Sequence, residues 1–113
     1  MTSDLTKMLE KMADLARAYP GTAGDPLSLK DGGPGDSDCI STFIASVLCA
    51  AGQQCRFVCV QEPKSGNRAV FVEILHKEFG PDGAWIALMP FGQWIFEGPE
   101  VLSWERVAQV EVA

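Results

Sequence analysis

The sequence predicts an α+β fold, with an N-terminal helix and a central buried helix packed on a four- to five-stranded antiparallel sheet. Three observations predict it. Apolar residues recur at helical spacing in two segments of the first half, the second half breaks into short runs rich in Val, Ile, Phe and Trp, and Gly, Pro, Asn and Asp separate those runs. At 113 residues the chain is long enough for one domain that buries roughly two-thirds of the surface its unfolded form exposes. One domain over 1–113 is therefore expected, divided into a helix to residue 20, an ordered loop over 21–36, and the central helix plus sheet from 37 onward.

Leu5, Met8, Leu9, Met12, Leu15, Ala16 and Tyr19 define the stripe of the first helix. Thr2 and Ser3 are candidate caps, Asp4 complements the helix dipole, and Pro20 and Gly21 end the element. The methionines fall within the stripe and are expected to fill core. The loop "GTAGDPLSLKDGGPGD" follows, dense in turn formers, with Leu27 and Leu29 as its packing residues. In the second helix Ile40, Phe43, Ile44, Val47, Leu48 and Ala51 complete an apolar stripe. Asp36 and Asp38 at its start are capping carboxylates rather than an acid–base pair, because acidic groups there satisfy unpaired amides. Gly52 is placed to close the helix in a left-handed conformation.

Strands are expected in "QQCRFVCVQ", "RAVFVEILH", "AWIALM", "QWIFE" and "RVAQVEV", joined as a meander through "PKSGN", "GPDG" and "PFG". The second run is almost continuously apolar, as in a central strand covered on both faces. Cys55 and Cys59 alternate with Phe57 on one face, where free cysteine acts as a small buried hydrophobe.

The net charge is −6, from 15 acidic and 9 basic residues, and the basic ones form no stripe. That pattern lacks the phosphate-contacting surface of a nucleic-acid binder. The first twenty residues lack the uninterrupted apolar run of a signal peptide or membrane span, so a cytoplasmic protein with no membrane partner is expected. The four cysteines (Cys39, Cys49, Cys55, Cys59) include no CxxC pair, and His76 is the sole histidine. No metal site, no cofactor and no disulfide framework is expected from that spacing. His76, followed by Lys77 and Glu78, is expected at a strand end on the surface.

The order "GDSDC", "AAGQQCRFVCV", "AVFVEI", "WIALMP" resembles the core of the transglutaminase-like superfamily, within the papain-like cysteine-protease fold. Small bacterial and phage members commonly read GDCDD, then a helix, glycine and a strand like RFV, then HVYVEV, then W..LDP. The resemblance covers about 35–90. It implies a thiolate at the helix start, a histidine on the second strand and an aspartate on the third. Those three positions fall on Ser37, Ala69 and Met89, so all three catalytic identities are absent. A serine hydroxyl at a helix N-terminus is not ionised by the modest dipole term.

The reading that follows is a non-catalytic transglutaminase-like domain serving as a protein-interaction or assembly module. By resemblance, a phage virion component is expected. The alternative is a cysteine hydrolase or acyltransferase using Cys39, two residues later and still in the first helical turn. Such an enzyme needs a base, and His76 lies seven residues beyond Ala69, about 23 Å along an unbroken strand. Phe91 and Trp104, with Leu27 and Leu29 of the loop, are the expected partner-binding residues, whereas Trp85 and Trp94 are expected to pack.

Overall fold

The computed structural model describes residues 4–21, 37–78, 82–88 and 103–112, with the side chains of α2 described from residue 40 onward. Two helices, α1 (Asp4–Ala18) and α2 (Ser37–Ala50), precede four strands: β1 (Cys55–Gln61), β2 (Arg68–His76), β3 (Ala84–Leu88) and β4 (Glu105–Glu111). The fold is α+β, as the sequence predicts. The proposed strand in 93–97 lies outside the described residues.

All strand pairs are antiparallel, in the order β3-β2-β1-β4. The simple meander is therefore corrected: β1, β2 and β3 follow as hairpins, but β4 returns to pair with β1, giving the strand order of a Greek key. Strand β4 also departs from strict alternation. Its register shifts between Cys59 and Val60, so that Cys59 opposes Ala108 and Val60 opposes Arg106, leaving Val107 as the extra residue of a bulge. Val107 and Ala108 consequently both pack against the helix-side core.

Both helices lie on one face of the sheet, α2 against β2 and β1, and α1 against β4 and α2. The core between them holds Leu9, Met12, Ala13 and Ala16 of α1, Ala45 of α2, and Cys55, Phe57, Cys59, Val70, Val72 and Val112 from the sheet side. Cys55 and Cys59 are the buried small hydrophobes expected of them. The buried arc of α1 is rotated toward Ala13, which leaves Leu15 and Tyr19 outside it, 50% and 59% exposed. Helix α2 is rotated likewise. Ser41, Ala45 and Ser46 are buried while Val47, counted in its apolar stripe, is 43% exposed. Small side chains let the helix approach closely, and the Ser41 hydroxyl meets its hydrogen-bonding need by donating to the Val70 carbonyl at 2.8 Å.

Gly52 closes α2 at φ +74°, with the Gln53 amide donating to the Leu48 carbonyl at 2.9 Å, as a left-handed helix cap requires. The Gly21 amide donates to the Ser46 carbonyl, fixing the end of α1 beside α2. Arg17 donates to the Val112 carbonyl at 2.7 Å and fixes the other side of α1 to the end of the sheet.

Candidate functional site

Strand parity decides what each end of α2 can reach. Along β2, Val70 and Val72 turn toward the helices, and Ala69 and Phe71 turn away to join Val58 and Val60 in a second buried cluster on the outer face. The Ser41–Val70 bond places the N-terminal half of α2 beside the start of β2. Ser37 opens α2, and Cys39 follows in its first turn. Ala69 is adjacent to Val70 in sequence, but its side chain is buried among Val58, Val60 and Phe71, on the face away from the helix. The first half of α2 and the start of β2 are thus neighbours, but the Ala69 side chain belongs to the opposite face of the sheet. Met89, Phe91, Leu27 and Leu29 lie outside the described residues, as does most of the 21–36 loop.

His76 ends β2 at the opposite end of α2. The Gln53 side chain, three residues past that helix, donates to the Leu75 carbonyl at 3.0 Å, which fixes the end of β2 beside the C-terminal end of α2. His76 is half-buried rather than a plain surface residue. It lines an open cleft of about 440 Å³ with Gly52, Gln53, Gln54, Leu75 and Lys77. A second cleft of about 400 Å³ shares Gly52, Gln53 and Gln54 and is bounded by Arg17, Pro20 and Cys49. Cys39 and the end of α2 are separated by about 16 Å along the helix axis at ~1.5 Å per residue. A thiol–imidazole pair needs hydrogen-bond reach, roughly 3 Å.

The outer face carries a cluster of ion pairs on a buried carboxylate. Glu73 opposes Arg56 across the β1–β2 ladder, accepting from its Nε at 2.7 Å, and Arg106 of β4 donates to both carboxylate oxygens at 3.2 Å. Arg106 opposes Val60, so reaching Glu73 carries its side chain across β1 over Val58, which is fully buried. Burial would raise the Glu73 carboxyl, but the hydrogen bonds and charges of Arg106 and Arg56 outweigh it and hold the group below the ordinary glutamate range. The Arg56 guanidinium also sits 4.1 Å from the centroid of the Trp85 ring. Trp104 is half-buried and packs against the Val58, Val60, Ala69 and Phe71 cluster. It therefore contributes to core packing as well as to the surface on which a partner is expected.

Spacing alone missed one juxtaposition. Cys49 and Cys55 have no CxxC spacing, yet a helix end, a glycine cap and a strand start between them bring both residues into the same core packing. The signal was present in Gly52, because a left-handed cap followed at once by a strand folds the chain back beneath its own helix.

Among the described residues, no group of three or more His, Cys, Asp or Glu side chains is placed to hold a metal ion. No described helix is long and apolar enough to cross a membrane. No family model, curated protein or solved structure matches the chain.

Proposed function

We propose that this chain is a non-catalytic domain of the transglutaminase-like type that works by protein–protein contact, as an interaction or assembly module. The observation that carries the reading is the separation of thiol and base: Cys39 lies in the first turn of α2, and His76 lies beside its last. With the histidine position of the resemblance occupied by Ala69 and turned to the outer face, the helix start has no imidazole to draw on from either place. Losing members of such a triad typically costs roughly four to six powers of ten in rate, which leaves no useful enzyme.

Contact supplies what chemistry does not. Leu15, Tyr19 and Val47 expose large apolar side chains on the helical layer, and a partner resting there would remove them from water. The resemblance to small phage members supports a virion or assembly role. In the native host, replacing Cys39 with serine is expected to leave the biological function intact. Loss of function by a Cys39→Ser protein that is folded and expressed at the normal level would favour the hydrolase or acyltransferase reading instead.

A further inference from the structure

Helix α2 ends on chemistry that protein contact does not require. Cys49 sits in its last turn and Cys55 opens β1, with the Gly52 cap and the Gln53–Leu48 bond reversing the chain between them. Cys49 packs against the core cluster that contains Cys55, close enough to add to the burial that raises the Cys55 thiol. Both are free thiols, but their accessibility differs. Cys55 is fully buried, whereas Cys49 is partly exposed and lines the cleft with Arg17 and Pro20. Cys59, two residues past Phe57 on the same strand face, is also buried.

We propose that Cys49 and Cys55 form a reversible disulfide, with Cys49 as a peroxide-accessible thiol and Cys55 as its buried resolving partner. The Cys49 sulfur attacks hydrogen peroxide, the O–O bond breaks, and Cys49 becomes a sulfenic acid as one water leaves with the thiol proton. The Cys55 sulfur then displaces the sulfenic oxygen, the S–S bond forms, and a second water carries away the Cys55 proton. Two thiols lose two electrons, and one peroxide becomes two waters. The bond joins the last turn of α2 to the first residue of β1, locking the element that separates the two clefts.

The same burial makes the bond slow to close as well as to reopen, because the nucleophile that closes it is the Cys55 thiolate. Burial, with the neighbouring Cys49 adding to it, pushes the Cys55 thiol up to about 12, which makes it a poor leaving group. A small reductant reaches the Cys49 sulfur, and attack there must expel Cys55. This inference is independent of the non-catalytic reading, since neither cysteine belongs to the motif at the helix start.

The test uses the full chain carrying Cys39→Ser, reduced and then exposed to hydrogen peroxide. The expected result is a mass loss of about 2 Da per chain and, on alkylation after unfolding in denaturant without reductant, protection of residues 49 and 55 and a Cys59 that still alkylates. Cys49→Ser is expected to abolish the mass loss. Cys55→Ala is expected to leave Cys49 as a sulfenic acid that dimedone traps. Should Cys55→Ala fail to fold, Cys49→Ser, at the partly exposed position, carries the comparison. Oxidation of Cys49 to sulfinic acid while Cys55 still alkylates would overturn the proposal. So would disulfide-linked dimers as the main product, or an internal disulfide that includes Cys59.

Discussion

On the helix side of the sheet, Cys55, Phe57, Cys59, Val70 and Val72 are sealed by α1 and α2. On the other side Val58, Val60, Ala69 and Phe71 are equally buried, but they share their surface with Glu73, held between Arg56 and Arg106. The helix side closes by apolar packing and hydrogen bonds to backbone carbonyls, with no ion pair buried in its core cluster among the described residues. The outer side includes a charged cluster whose longest arm crosses a strand and covers a valine. A charge in a strand of this protein is therefore no mark of exposure. The difference also governs the chemistry: α2 begins on one layer, and the strand position that would supply its histidine points into the other.

The largest effect is expected at the charged cluster. Glu73→Ala would leave Arg56, mostly buried, without its carboxylate, and is expected to cost about 3 kcal/mol in denaturant unfolding. Because the Glu73 carboxyl is held below its ordinary range when folded, its contribution is complete above the unfolded glutamate pKa near 4.5 and is lost as pH falls through the lower folded value. Glu73→Gln should therefore flatten the acid limb of the stability curve, below about pH 4.5. An acid limb unchanged by Glu73→Gln would mean that the cluster does not outweigh the burial of its own charge.

A smaller effect is expected from rebuilding the absent histidine. Ala69→His forces an imidazole into the outer apolar cluster and is expected to cost about 2 kcal/mol. Combined with Ser37→Cys, it should leave the new thiol no more reactive than in the single Ser37→Cys variant. Faster alkylation of the thiol introduced at position 37 in the double variant would mean that position 69 reaches the helix start after all, and the contrast between the two faces would fail.

Much of this architecture was legible in the residues. Both helices, the Gly52 cap and four of the strands follow from periodicity and turn chemistry, because each of those signals is local. The rotation of α2 was not legible. Its largest apolar residues suggested a face through Val47, while the sheet accepts the face through Ser41 and Ala45, where a hydroxyl can bond the Val70 carbonyl. The return of β4 to β1 and its bulge at Val107 were equally hidden, since strand order depends on pairing partners far away in sequence. At the candidate site, the residues that the resemblance matches to a triad, Ser37, Ala69 and Met89, could be read directly. The contact between Cys49 and Cys55 required the fold.

The central claim is that no imidazole serves the thiol at the start of α2, and the reactivity of Cys39 tests it most directly. Alkylation by iodoacetamide, followed at the Cys39 peptide by mass spectrometry, should speed up about tenfold per pH unit and level off only near the ordinary thiol range at about pH 8.5. A rate that is already high and flat between about pH 5 and 7 would reveal a stabilised thiolate and contradict the account.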